Sequence, residues 1–204
     1  VWLAEAGEQK KVVSMVGSLS DFFRISLNQG QDILDVKEEL QHVRSYLEIQ
    51  QMRYQDILQY EICVPEELNH CQIPKITLQP LVENAIFHGI EPKGCAGHIR
   101  IHVGYETSDN TEKIRIDVTD DGVGMTADKA AQVLRSNDDS SADFFREIGV
   151  SNVHKRLQYQ FGAEYGITIE SKEGEYTTMS IHIPNIPLHN NETVSSETIS
   201  SENT

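Results

Sequence analysis

Cysteine is scarce. The chain holds three, Cys63, Cys71 and Cys95, an odd number with no paired spacing. That argues against a zinc site or a disulfide framework and leaves reduced thiols as the expectation. His70 beside Cys71 is a loop neighbour rather than a ligand pair. No apolar run approaches the roughly 20 residues needed to span a bilayer, and no signal peptide is visible. Basic residues are outnumbered, 17 Lys and Arg against 32 Asp and Glu, for a formal net charge of −15. Such a balance argues against a general nucleic-acid surface. No internal repeat appears. The chain opens on Val1 rather than Met, so the expectation is a fragment of a longer protein. What remains, 204 residues with 38% hydrophobic content, suffices for one good core.

Three stretches stand out. Leu78 to Gly89 reads LQPLVENAIFHG. At helical period Leu78, Val82, Ala85 and Ile86 form an apolar stripe, with Thr77 as N-cap and Pro80 in the first turn. Asn84 and His88, four apart, then share the opposite, polar face. An amide oxygen there is a hard ligand suited to Mg²⁺, which keeps waters and phosphates as its other ligands. An ordinary amphipathic helix with two solvated polar residues fits the same pattern. Asp120 to Met125 reads DDGVGM and follows an alternating strand, Lys113 to Thr119. Gly122 and Gly124 let a ligand lie against the main chain. Asp120, when ionised, only accepts hydrogen bonds, which suits an exocyclic amine such as adenine's and rejects guanine's carbonyl oxygen. Glu147 to Leu157 reads EIGVSNVHKRL, a glycine opening an amphipathic helix whose N-terminus would attract phosphate.

Each motif is weak alone; their order and spacing together are specific. The chain resembles two-component sensor histidine kinases of the LytS/YesM-like branch. LQPLVENAIFHG resembles that family's N box, DDGVGM its first glycine box, IGVSNVHKRL its second and GEYTT, at Gly174 to Thr178, its third. The resemblance runs from about Trp2 to Pro184. It implies the nucleotide-binding fold shared with gyrase and the mismatch-repair ATPases. The expected class is α+β, a two-layer sandwich of mixed, mainly antiparallel sheet with helices on one face, preceded by a helical segment. Expected divisions are 1–55, a partial dimerisation hairpin and linker helix; 56–184, the ATP-binding domain; and 185–204, a disordered tail.

The pattern agrees element by element. Val1 to Leu27 reads as a helix with a broad apolar face that needs a partner. Asp35 and Glu38 form a capping box before a helix over Val36 to Tyr54, with Val36, Leu40, Val43 and Leu47 on one side. Strands follow at Leu58 to Val64, Ile99 to Tyr105 and Lys113 to Thr119, then a short helix over Ala127 to Leu134. Arg135 to Arg146 reads as a lid or an inert loop. A closing hairpin turns near Lys172 to Gly174. The tail beyond Asn185, with a sequon at Asn191, reads as disordered.

The implied chemistry is transfer of the ATP γ-phosphoryl group to a histidine. The resemblance gives Asn84 the Mg²⁺, Asp120 the adenine, and Gly122, Gly124, Gly149, Val150, Asn152 and Thr177 contacts with the nucleotide. His88 follows the family in position. Glu83 orients a metal-bound water or is a plain surface carboxylate. Lys155 or Arg156 adds charge near the phosphates or lies on a solvated face. Three residues depart from the family: Glu147 and Tyr176 replace glycines of the second and third boxes, and Phe87 stands where many relatives carry lysine. They are the best support for an alternative, a degenerate nucleotide-binding module, but they do not touch Asn84 or Asp120. A water-activating ATPase of the same fold needs a carboxylate one helical turn before the asparagine, and Pro80 occupies that place. A histidine acceptor is its own nucleophile and needs no such base. The family's acceptor lies in a motif like PHFLYN, and none of the eight histidines of this chain sits in such a run. Implied partners are a response regulator and a second copy in the full-length protein. Nucleic acid is not expected. Membrane attachment would come only through upstream segments, leaving this part cytoplasmic.

Overall fold

The computed structural model describes residues 7–27, 32–54, 57–108, 111–135 and 144–186. The tail beyond 186, residues 136–143 of the segment Arg135 to Arg146 read as a lid or loop, and Trp2 lie outside the described residues.

Two helices come first, α1 (Gln9–Ser26) and α2 (Val36–Tyr54), with β1 (Ile33–Asp35) between them. The Asp35 backbone N–H donates to Glu38 Oε2 at 3.2 Å, which is one arm of the expected capping box. The stripe Val36, Leu40, Val43 and Leu47 is fully buried and belongs to the main core. Next come β2 (Leu58–Cys63), a 3₁₀ turn, β3 (Gln72–Pro74) and the short helix α3 (Gln79–Asn84). Then follow β4 (Gly97–Ser108), β5 (Thr111–Asp120), α4 (Ala127–Arg135), α5 (Phe144–Phe161), β6 (Gly166–Lys172) and β7 (Tyr176–Pro184).

The main sheet has the order β2-β4-β5-β7-β6, and a separate ribbon pairs β1 with β3. Only β2 runs parallel to its neighbour β4; the other pairings are antiparallel. This is the expected two-layer arrangement. Ile99, Ile101, Val103, Ile114, Ile116, Val118, Met179, Ile181 and Ile183 alternate along their strands and are buried on one face. Val82 and Ile86 near α3, and Val150, Val153 and Leu157 on α5, complete that core.

The other face is polar and internally bonded. His182 Nδ1 lies 2.7 Å from Glu106, its Nε2 lies 2.9 Å from Thr168 Oγ1, and Arg115 donates to Asp117 at 2.7 Å. Cross-strand partners therefore satisfy these groups on a solvated sheet.

Candidate functional site

Strand parity aims Asp120 inward. It continues the alternation Ile114, Ile116, Val118, so its carboxylate points into the helix layer at the open end of β5. Thr177 pairs with it in register on β7, and both are buried, at 2% and 3% exposure. Burial pushes the Asp120 carboxyl up to about 7, against the Gly122 N–H, which donates to Oδ1 at 2.9 Å. Above it the chain is close-packed. A Cβ on Gly89 would overlap the Asp120 carboxylate, and one on Gly122 would overlap the Gly89 backbone. Gly124 takes φ +62°, and a side chain there would meet the Lys172 carbonyl. Val123 joins both neighbours: its N–H donates to Gly89 O at 3.1 Å and its carbonyl accepts from Gly174 N–H at 2.6 Å. Ser171 Oγ accepts from Met125 N–H and lies 2.9 Å from Thr177 Oγ1. Three sequence-distant stretches thus meet around one carboxylate. Gly122→Ala is expected to lower stability by about 2 kcal/mol, the usual effect of overpacking, read in a urea melt.

The segment before and through α3 departs from expectation at both ends. The helix begins at Gln79, and Thr77 does not cap it: Thr77 Oγ1 instead donates to Pro74 O at 2.5 Å. The N–H groups of Ile76, Thr77 and Leu78 go to the carboxylate of Glu39, on α2. From Ala85 to Ile90 the backbone adopts a π-helix. That wider turn removes the strict four-residue register on which a side-by-side placing of Asn84 and His88 depends. Asn84 is 7% exposed rather than solvent-facing. His88 lies within the π turn and is half-buried. Glu83, also half-buried, accepts from Gln79 Nε2 at 2.8 Å, and its charge acts on the nearby Tyr46 hydroxyl.

Helix α5 begins at Phe144, so Gly149 lies inside it rather than opening it. The absent side chain matters for packing, because a Cβ on Gly149 would come 3.2 Å from Pro80. Val150 is buried, whereas Asn152 and Lys155 are exposed. Arg156 turns inward and donates to Ile76 O at 3.1 Å and Thr77 Oγ1 at 2.9 Å. Tyr176 donates to Glu170 at 2.7 Å, and Phe87 packs against the core. The Glu147 side chain lies outside the described residues.

The family model for histidine kinase-, DNA gyrase B- and HSP90-like ATPases matches residues 74–187, more than half of the chain. A histidine kinase model matches residues 1–58. The chain belongs to this ATPase family, in its sensor histidine kinase branch. Sensor histidine kinase YesM of Bacillus subtilis is 37% identical over 90% of the chain and 29% of YesM. Sensor histidine kinase BtsS of Escherichia coli is 30% identical over 87% of the chain and 28% of BtsS. The chain thus spans less than a third of the length of these curated relatives. Among solved structures, the kinase domain of the blue-light activated histidine kinase of Erythrobacter litoralis aligns with a TM-score of 0.53 at 12% identity. That alignment covers 89% of this chain and 83% of the other. Mycobacterial sensor histidine kinase MprB also gives 0.53, at 15% identity, over 78% of this chain and all of the other. At these identities the likeness is one of fold.

Within the histidine kinase fold, the N box, the first glycine box and the third box converge at the open end of β5 and β7. Sequence reasoning missed two contributors. Ser171 lies outside all four boxes, one residue before the β6–β7 turn, and only the strand register brings it to Met125. Glu39 lies far upstream on α2. A buried glutamate on an otherwise apolar stripe is a signal, but its partners are backbone groups that leave no mark in the sequence.

Proposed function

We propose that this chain is the ATP-binding catalytic region of a sensor histidine kinase, transferring the γ-phosphoryl group to a histidine for relay to a response regulator. The observation that carries this reading is Asp120, a buried carboxylate roofed by Gly89 and Gly122 at an open sheet end. Its second oxygen would accept from the exocyclic amine of adenine, and the close-packed glycines hold the carboxylate in place.

Asn84, a largely buried amide at the end of α3, is the residue proposed for the metal. Among the described residues no group of three or more His, Cys, Asp or Glu is placed to hold an ion. A single amide oxygen is the contribution expected where waters and nucleotide phosphates supply the remaining ligands of Mg²⁺. Bound there, Mg²⁺ would offset charge on the phosphate oxygens. Asn84 would orient that assembly, Asp120 would fix the base, and Glu83, held by Gln79, would order a water beside it. Lys155, exposed on α5, supplies positive charge to a chain whose net field repels ATP. Arg156 is engaged with the loop before α3, which assigns it to positioning. Val13, Val16, Leu19, Phe23 and Leu27 of the α1 segment are exposed, and a second copy is their proposed partner. No described helix is long and apolar enough to cross a membrane. Attachment through segments outside this chain belongs to the same proposal.

The test is calorimetry of Asn84→Ala. It is expected to fold as the parent does and to lose the Mg²⁺-dependent part of its ATP affinity. Equal Mg-ATP binding by both proteins would contradict the assignment. A second reading, a nucleotide-sensing module without transfer, rests on Tyr176 and Phe87 in place of the family's usual residues.

A further inference from the structure

Helix α2 grips the segment around Asn84 at three points. Glu39, Tyr46 and Tyr54 recur about two helical turns apart, so they share one stripe. Glu39 accepts from the N–H groups of Ile76 at 3.0 Å, Thr77 at 2.7 Å and Leu78 at 2.8 Å. The buried Tyr46 hydroxyl lies near enough to Glu83, the neighbour of Asn84, to feel its charge. The Tyr54 hydroxyl donates to Glu91 Oε2 at 3.1 Å. These contacts run from just before α3 to just past its π turn.

The Glu39 end is a built site. Its three donors converge because Ile76 holds φ +56°, a conformation that β-branched residues avoid. Successive N–H groups around such a residue form an anion-binding nest, and the start of α3 adds its dipole. The acceptor that fills the nest is the protein's own, the fully buried carboxyl of Glu39. Burial raises its pKa, while the three N–H groups and Arg156 act against that rise. Arg156 closes the far side from α5. Strain of this kind persists only where the surroundings over-determine it, and it clusters at functional sites.

The grip also reaches the hairpin. Phe22 of α1 stacks on His42 at 4.6 Å between ring centres and lies 6.0 Å from Tyr46. Ser18 of α1 donates to Glu48 of α2 at 2.7 Å. At its other end the Asn84 segment is pinned to the sheet through Gly89 and Val123. One end is therefore fixed to the base-binding carboxylate and the other moves with α2.

We propose that Glu39 and Tyr46 are positioning residues that carry the placement of the α1–α2 hairpin to Asn84 and so set the metal-phosphate half of the nucleotide site. This rests on the nucleotide reading above. Coupling between two sites is reciprocal, so the same contacts let bound Mg-ATP bias the hairpin.

The test is calorimetry on the 204-residue chain with ATP, in Mg²⁺ and in chelator, for the parent, Glu39→Gln and Tyr46→Phe. Glu39→Gln keeps the shape and replaces one of the two accepting oxygens with an amide that cannot accept from the nest. Tyr46→Phe removes one hydroxyl. Each variant is expected to lose about tenfold in Mg-ATP affinity and to keep its Mg²⁺-free affinity within about twofold, because Asp120 is anchored independently. Parent-level Mg-ATP affinity in both variants would overturn the proposal. So would equal losses with and without Mg²⁺, the pattern of general destabilisation. If Glu39→Gln fails to fold, Tyr46→Phe decides by the same split. A parent that binds no ATP would overturn the nucleotide reading and this proposal with it. A parent that binds while both variants match it would sink only the coupling.

Discussion

Asp120→Asn is expected to melt several degrees above the parent at pH 8 and, at the same time, to lose its selectivity for adenine. The carboxyl titrates at an ordinary 3.8 when exposed and at about 7 when buried. Below pH 3.8 it is protonated whether the chain is folded or not, and its burial is then cheapest. Between the two values the unfolded chain releases the proton while the folded chain keeps it, so stability falls as pH rises. Above about 7 the penalty is complete, on the order of 4 kcal/mol. Asparagine carries no such penalty, and its oxygen can still accept from Gly122. Melts should therefore separate the two proteins at pH 8 and bring them together near pH 4. Binding runs the other way. A site built to accept from an amine rejects an analogue lacking it by roughly 10⁴ or more, so the parent should all but ignore GTP. The Asn side chain can also donate, which erodes that discrimination. The parent's ATP affinity should rise about tenfold from pH 6 to pH 8 as the carboxyl ionises. The titration of ATP itself is common to both proteins, so the ratio of parent to variant isolates Asp120. A parent that binds ATP and GTP alike, or a variant no more stable at pH 8, would contradict the argument.

The sequence made Asp120 legible because period-two alternation ends on it. Ile114, Ile116 and Val118 declare the buried face, and the next residue on that face is a carboxylate before two glycines. The same logic found β2, β4, β5 and the closing hairpin, since each strand half-faces a core. Helix α2 was readable from its capping box and its stripe. The start of α3 was not. Thr77 has the chemistry of an N-cap, yet its hydroxyl is turned to Pro74 O, while Glu39, brought there by tertiary packing, takes the N–H groups of Ile76, Thr77 and Leu78. The π turn was equally hidden, because Ala85 to Ile90 has the periodicity of an ordinary helix. Gly149 misled in a third way. A glycine before an amphipathic run reads as a helix opening, but here it makes room for Pro80.

Incubated with γ-labelled ATP, this chain alone is expected to take up no acid-labile, alkali-stable label. Phosphoryl transfer depends on alignment and electrostatics, so an acceptor imidazole must present a free nitrogen in line with the γ-phosphate. Most of the described histidines are engaged elsewhere or sit on the far face of the sheet. His42 is buried at 1% exposure, stacked on Phe22, with Nε2 2.8 Å from Ser26 Oγ. His154 Nδ1 accepts from Ile167 N–H at 2.9 Å. His182 is held by Glu106 and Thr168. His70 stands 3.3 Å from Asp35. His98 and His102 lie on β4, where both alternate with the buried Ile99, Ile101 and Val103 and so belong to the polar face of the sheet. His88 belongs to the segment proposed to hold the nucleotide, and His189 lies outside the described residues. A separate chain carrying a PHFLYN-like helix is expected to take the label if it pairs with the exposed apolar residues of α1. Label on that chain would favour the kinase over the nucleotide-sensing module. Label on any of the eight histidines here would show that the acceptor is internal and would overturn the assignment of α1 as half of a split hairpin.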